Sequence, residues 1–213
     1  FKQKTAYEIK ECAWSSDVCS SDLVGFFRPD FPTDKGDWHD YLRAYDALLA
    51  PYRDRAGLRV LEIGVKKGGS LVMWQEYFRA DAIIYGIDIN PDVPTFRRDA
   101  GLKVLVMDST DAVVVEAALR GLRFDVIIDD GLHHRQAQLQ TFLNLRQFLT
   151  DTGVYAIEDG FDVDTSDYSR LGYETTMVAD PSGQHLLVLY PPGSIATRLT
   201  GEKQASFALS AHP

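Results

Sequence analysis

The chain has 213 residues, 45% of them hydrophobic and 25% charged, and its 22 basic and 31 acidic side chains give a formal net charge of −9. That composition is typical of a globular domain with a full core, and such an acidic chain is a poor candidate for binding nucleic acid through phosphate contacts. No apolar run reaches the roughly 18 residues of a membrane span, and the only two cysteines, Cys12 and Cys19, exclude a disulfide-dense scaffold and a cysteine-rich zinc site.

The first 23 residues differ in character from the rest of the chain. Residues 14–23 (WSSDVCSSDL) have no apolar period and resemble a translated short-read sequencing adapter. We therefore expect residues 1–23 to be an artefactual or disordered leader, a natural disordered leader being the alternative, and exclude them from the fold prediction. The predicted domain then covers residues 24–199, and residues 200–213 are expected to form a C-terminal tail.

After the leader, helical and strand patterns alternate. Helices are predicted over residues 39–52, 70–78, 111–119 and 134–149, with Ser70 as the cap of the second and Leu143 among the inward-facing residues of the fourth. Strands are predicted over residues 59–63, 82–89, 102–107, 124–129 and 154–158, with a turn over residues 151–153. Two further strands, over residues 173–178 and 185–190, are separated by a turn and predict an antiparallel pair.

Apolar strands that alternate with helices are typical of a parallel sheet covered on both faces. The predicted fold class is therefore α/β, with a doubly wound, mostly parallel seven-stranded sheet and an antiparallel last strand.

The turn after the first strand is the first candidate site. It reads LEIGVKKGGS over residues 61–70, and its glycines allow positive φ and close backbone approach. The spacing is G-x-x-x-G-G rather than the G-x-G-x-x-G of dinucleotide sites, and Glu62 would repel a pyrophosphate but can bind an ammonium group. Asp88 ends the second strand, where an acid can accept hydrogen bonds from both ribose hydroxyls. The alternative to a ligand-binding role is that this segment is only a structural turn of another doubly wound fold.

The segments LEIGVKKGGS and YGIDIN together resemble class I S-adenosylmethionine-dependent methyltransferases, and within them the group of macrolide-sugar O-methyltransferases and cephalosporin-hydroxylase-like proteins. The resemblance runs from about residue 34 (DKGDWHDY) to residue 190 and includes the antiparallel final pair of strands. It implies S-adenosylmethionine as cofactor, held by the residues Glu62, Gly64, Gly68 and Ser70 (methionine portion), Asp88 (ribose), Asp108 and Ser109 (adenine), and Asp129.

Acidic residues follow two neighbouring strands of the predicted sheet. Asp130 comes after the fourth strand, and Glu158 and Asp159 come after the fifth. Because the ends of parallel strands lie side by side, about 5 Å apart, we expect these carboxylates to converge. Clustered carboxylates repel one another unless a cation neutralises them, and oxygen ligands suit Mg²⁺, Mn²⁺ or Ca²⁺. We therefore predict Asp130, Glu158 and Asp159 as ligands of Mg²⁺ or Mn²⁺.

His133 is the predicted catalytic base, because it lies close to Asp130 and histidine exchanges a proton near neutral pH. The resembled sugar methyltransferases carry Asp-Gly-Ser-His and Ile-Glu-Asp stretches here, assigned to base catalysis and metal binding, whereas this chain has Leu132 in place of the serine. Asp130 and Asp159 as helix caps and His133 as a surface residue are the alternatives. His134 is expected to be structural or solvent-facing. His39 is expected either to line the substrate entrance or to have a structural role, in capping a helix or in packing.

The predicted function is metal-assisted O-methylation of a sugar or natural-product hydroxyl. A catechol methyltransferase, a hydroxylase-like enzyme and a non-catalytic cofactor-binding module on the same fold are the alternatives. We expect a small-molecule partner such as a glycoside or polyol, and no nucleic-acid or membrane partner. We also expect a cytoplasmic location, and a homo-oligomer is possible.

Overall fold

The computed structural model describes residues 33, 35, 41–94, 101–160, 162–179 and 185–194. Seven strands form one sheet: β1 (Arg59–Ile63), β2 (Ile83–Asp88), β3 (Leu102–Val106), β4 (Phe124–Asp129), β5 (Leu149–Ile157), β6 (Glu174–Ala179) and β7 (His185–Tyr190). Their order is β3-β2-β1-β4-β5-β7-β6. The pairs from β3 to β5 are parallel, and β7 is antiparallel to both β5 and β6. The predicted fold class is confirmed.

Helices cover both faces of this sheet. They are α1 (Tyr41–Leu49), α2 (Gly69–Tyr77), α3 (Ala112–Leu119), α4 (Arg135–Leu145) and α5 (Thr165–Ser169), with 3₁₀ turns at Ala50–Tyr52 and Arg146–Phe148. Side chains alternate along each strand, so that Val60 packs in the core cluster of α1 and α2 while Leu61 packs in that of α3, α4 and α5. Among the described residues, no helix has the length and apolarity needed to cross a membrane.

Some predicted boundaries are wrong. Ser70 does not cap α2, because Gly68 adopts φ of +78° at the cap and the helix already begins at Gly69. Residues 151–153 are not a turn: β5 starts at Leu149, and a shift of its register against β4 takes up the extra residues. Leu143 is 37% exposed, because α4 is half-buried and turns this position to solvent. The predicted leader, the predicted tail and His39 lie outside the described residues.

Candidate active site

The loop after β1 and the end of β4 pack together at the carboxyl edge of the sheet. Gly64 has φ of +93°, and a Cβ at this position would lie 2.0 Å from the carbonyl oxygen of Asp130. The Gly64 amide donates to the Ile87 carbonyl at 2.8 Å, and the Asp130 amide donates to the Ile63 carbonyl at 2.9 Å. Only glycine fits there, so the loop and the acidic strand end are held at a fixed distance.

Asp88 holds the same loop from the end of β2. Its Oδ2 accepts hydrogen bonds from the backbone amides of Val65 and Lys66, both at 2.9 Å, and its Oδ1 accepts one from the amide of Asn90 at 2.8 Å. Lys66 is a non-glycine residue with positive φ, at +50°, which is a strained conformation. The predicted ribose-binding acid therefore also fixes the shape of the glycine-bearing loop.

A cavity of about 600 Å³ opens beside this loop. Its volume lies in the ordinary range for small-molecule sites, and its place beyond the carboxyl ends of the strands is where open α/β sheets bind ligands. The predicted cofactor residues that line it are Gly64, Asp88, Asp108 and Ser109. At its far side the hydroxyls of Ser109 and Thr141 are hydrogen-bonded at 2.9 Å.

The other predicted cofactor residues, Glu62, Gly68, Ser70 and Asp129, are not part of that lining. Glu62 is buried beneath α2, where its Oε2 accepts a hydrogen bond from Trp74 Nε1 at 3.0 Å. Asp129 faces the opposite core, and its Oδ1 accepts a hydrogen bond from the Gly131 amide at 3.2 Å. Burial raises the pKa of Asp129 to about 7, and the charge of Asp130 adds to this effect.

The three predicted cation ligands do not form one group. Asp130 and Glu158 meet at a lysine nitrogen, whereas the donor atoms that lie together on the other side belong to Asp130, Asp159 and His133 and do not include Glu158. Lys35 Nζ lies 2.6 Å from Asp130 Oδ2, 2.7 Å from Glu158 Oε1 and 3.2 Å from Glu62 Oε1. Burial alone would lower the pKa of Lys35, but the charges of Asp130, Glu158 and Glu62 raise it well above its ordinary value. The side chain is therefore a buried ammonium ion.

Two tyrosines of α1 also donate hydrogen bonds to predicted cation ligands. Tyr45 donates its hydroxyl to Glu158 Oε1 at 2.5 Å, and Tyr41 donates its hydroxyl to Asp159 Oδ1 at 2.9 Å. Burial raises the pKa of both tyrosines, and the neighbouring carboxylates raise it further, so both hydroxyls stay protonated donors. Sequence analysis did not predict these roles, because Lys35 lies in a short segment of charged residues and glycine, and the two tyrosines fit the apolar face of the helix predicted over residues 39–52. The four-residue spacing of the tyrosines on one helix face was the available signal.

Asp130 and His133 line the cavity, whereas Glu158 and Asp159 are not part of its lining. His133 Nε2 lies 3.6 Å from Asp159 Oδ2 and 3.9 Å from Asp130 Oδ1. Donor atoms of Asp130, His133 and Asp159 all lie within 4.8 Å of one another, so a divalent cation such as Mg²⁺ or Mn²⁺ fits between the two aspartates, next to the imidazole. Asp159 has φ of +52°, a strained conformation of the kind found at functional sites.

The helix-cap alternative for Asp130 and Asp159 is wrong. The cap of α4 is His134, which makes no side-chain capping bond, and the cap of α5 is Asp164, whose carboxylate accepts from the Ser166 amide. His134 is exposed, as expected. The two aspartates are therefore available as cation ligands.

The relatives found by comparison with known proteins include several O-methyltransferases. The chain is 37% identical over 139 residues to 8-demethyl-8-alpha-L-rhamnosyl tetracenomycin-C 2'-O-methyltransferase of Streptomyces olivaceus, covering 60% of this chain and 35% of the relative. It is 32% identical over 170 residues to demethylmacrocin O-methyltransferase of Streptomyces fradiae, covering 71% of this chain and 42% of the relative. It is 33% identical over 144 residues to mycinamicin VI 2''-O-methyltransferase of Micromonospora griseorubida, covering 63% of this chain and 34% of the relative. The chain thus spans between 34% and 42% of the length of these relatives.

A solved structure shares the fold: MycE methyltransferase of the mycinamycin biosynthetic pathway, in complex with Mg, SAH and mycinamycin VI. It superposes with a TM-score of 0.62 at 24% identity, over 84% of this chain and 57% of that chain. Residues 61–160 match the family described as a methyltransferase domain. The chain therefore belongs to the class I S-adenosylmethionine-dependent methyltransferases, in the group that contains the macrolide-sugar O-methyltransferases.

Proposed function

We propose that this chain transfers the methyl group of S-adenosylmethionine to a hydroxyl of a sugar carried by a natural product, assisted by a divalent cation. One observation carries this proposal: Asp130 and His133 belong both to the lining of the cavity and to the donor set that fits a cation. A cofactor in the cavity and a cation at the acidic cluster would therefore be neighbours, as methyl transfer to a coordinated hydroxyl requires.

The cavity-lining residues supply the contacts that the cofactor needs. The Asp88 carboxylate would accept hydrogen bonds from the ribose, and Asp108 and Ser109 at the end of β3 would lie beside the adenine. Gly64 lines the cavity next to Asp130, where the methionine portion would lie. The four predicted cofactor residues outside the lining would support the cavity indirectly, by holding α2 and the strand ends in place; they are Glu62, Gly68, Ser70 and Asp129.

Asp130, Asp159 and Glu158 are the proposed cation ligands. Asp130 Oδ1 and Asp159 Oδ2 face His133, and Glu158 would contribute the oxygen that Lys35 and Tyr45 do not bind. A bound Mg²⁺ or Mn²⁺ would lower the pKa of an acceptor hydroxyl. Oxygen ligands suffice for such a hard cation, which leaves the imidazole free for proton transfer.

His133 is the proposed general base. Its side chain is 41% exposed, so an acceptor can reach it, and its Nε2 lies within 4 Å of carboxylate oxygens of both Asp130 and Asp159. His133 Nε2 would take the proton of the acceptor hydroxyl as the acceptor oxygen bonds to the methyl carbon. S-adenosylmethionine would supply that methyl group from its sulfonium and leave as neutral S-adenosylhomocysteine, with the electron pair of the broken carbon–sulfur bond on sulfur.

The acceptor class follows from the relatives and from the surface next to His133. The relatives are named as O-methyltransferases of natural products, and two of the names contain a sugar unit, rhamnosyl in one and L-olivosyl in the other. Leu132 is 72% exposed at the cavity, where it would contact an apolar aglycone. A catechol stays an alternative acceptor, since its vicinal hydroxyls would suit the same ligands. The cytoplasmic location and a homo-oligomer also stay predictions.

Calorimetric titration with S-adenosylmethionine, with and without Mg²⁺, tests cofactor binding; an absence of binding in both conditions would contradict the proposal. His133→Ala should then lower methyl transfer to mycinamicin VI or a rhamnosylated polyketide by roughly 10²–10⁴-fold while cofactor affinity is retained. His134→Ala is the matched control, because His134 is exposed and makes no capping bond. Equal activity of the His133 and His134 variants would remove His133 from the base role.

A further inference from the structure

The carboxylates at the active site share one pattern of contacts. Lys35 and two tyrosines of α1, all from the N-terminal side of β1, bind one oxygen each of Asp130, Glu158 and Asp159. Lys35 donates hydrogen bonds to Asp130 Oδ2 and to Glu158 Oε1. Tyr45 also donates to Glu158 Oε1, and Tyr41 donates to Asp159 Oδ1. The oxygens left over on the two aspartates are those nearest to His133.

Lys35 is the central member of this set. Its side chain is 1% exposed, and its ammonium is bound by carboxylates that lie 95 and 123 residues further along the chain. A buried charge is stable only when it is paired with an opposite charge. The Lys35 ammonium is paired with three carboxylates, those of Asp130, Glu158 and Glu62. The one ammonium is therefore shared among these three side chains.

Resting on the proposed function, we propose that Lys35 and Tyr41 are positioning residues that hold the inner oxygens of Asp130 and Asp159, so that the outer oxygens are presented together to the divalent cation. Neither residue touches the cofactor cavity. Each acts through a carboxylate, in the way that outer partners orient the ligands of other metal sites.

The alternative is that the Lys35 ammonium only neutralises the carboxylates and competes with the cation. The two ideas predict opposite changes. If Lys35 competes, its removal leaves a more negative site that binds the cation more tightly. If Lys35 positions the ligands, its removal frees the Asp130 carboxylate to rotate, and the cation binds more weakly.

Titration of the cofactor-free protein with Mn²⁺, followed by electron paramagnetic resonance, separates the two ideas. Lys35→Met should weaken Mn²⁺ binding by roughly 10–100-fold, the usual effect of removing an outer partner of a metal ligand. The charge-matched Lys35→Met/Glu62→Gln variant should show the same loss, because it removes one ammonium and one carboxylate together. Tyr41→Phe, which removes no charge, should also weaken Mn²⁺ binding.

Lys67→Met is the control, since it removes an exposed lysine of the cofactor loop and should leave Mn²⁺ affinity unchanged. Unchanged or tighter Mn²⁺ binding by the Lys35 variants would overturn the positioning role. Should both Lys35 variants fail to fold, an unchanged affinity of Tyr41→Phe would overturn it. A wild-type protein that binds no Mn²⁺ would instead overturn metal assistance itself, and the positioning role with it.

Discussion

The carbonyl oxygen of Asp130 occupies the space that a Cβ of Gly64 would need, only 2.0 Å away. This contact joins the loop that lines the cofactor cavity to the strand end that carries the acidic cluster. The two parts of the proposed site therefore form one unit, and a change at either residue reaches both.

Replacing Gly64 with alanine should destabilise the protein strongly. The left-handed backbone and the clash with Asp130 together predict a loss of roughly 2–5 kcal/mol in the free energy of unfolding, measured by urea denaturation. Gly121→Ala is the control, because Gly121 also has positive φ, at +79°, but has open space around it. Equal losses in the two variants would show that the contact with Asp130 does not contribute to the free energy of unfolding.

Asp88→Asn should weaken the binding of S-adenosylhomocysteine. The change removes the charge that the loop amides bind and that the ribose hydroxyls would bind. A charge-assisted hydrogen bond contributes about 1.5–3 kcal/mol, or roughly 10–100-fold in affinity. Calorimetry measures the loss. Asp92→Asn removes an exposed acid of the segment after β2 and should bind normally. Wild-type affinity in Asp88→Asn would exclude Asp88 from the ribose site.

Asp129 should make the protein less stable as the pH rises. Its pKa is about 7 in the folded protein, against about 3.9 in an unfolded chain. Because the folded state keeps the proton longer, the stabilisation is complete below about pH 4, is lost as the pH rises to about 7, and totals at most about 4 kcal/mol. Urea denaturation across this range, in the presence of a chelator, measures it.

Asp129→Asn should remove that part of the pH dependence. Asp151→Asn, at an exposed position of β5, is the control and should keep the wild-type profile. Identical profiles for wild type and Asp129→Asn would show that Asp129 ionises normally in the folded protein.

Phe142→Ala should cost about 3–5 kcal/mol of stability, because large-to-small changes in a packed core leave a cavity. The Phe142 ring makes edge contacts with Tyr155, Tyr168 and Tyr173 at centroid distances of 5.2, 4.9 and 4.9 Å. Thermal and urea unfolding measure the effect. The neighbouring Leu143→Ala should change stability little, since Leu143 is 37% exposed; a comparable loss there would contradict the orientation of α4.

Much of the site's location could be predicted from the sequence. Parallel strands end at one edge, so the glycine turn after β1, the acid after β2 and the acids after β4 and β5 had to meet there. The boundaries were less predictable. The start of β5 depends on a register shift against β4, and the cap of α2 depends on the backbone of Gly68, neither of which leaves a distinct local pattern.

By itself, the sequence determined the alternation of strands and helices, the cofactor turn and the edge at which the acids lie, because these follow from short-range periodicity and parallel topology. Only the tertiary structure decided which carboxylate oxygens face inward and which face His133. Lys35 contacts two of these carboxylates, which are 95 and 123 residues away along the chain. Such a buried ion pair exists only once the folded chain has brought Lys35 to the sheet edge, and no local pattern encodes a contact between residues so far apart.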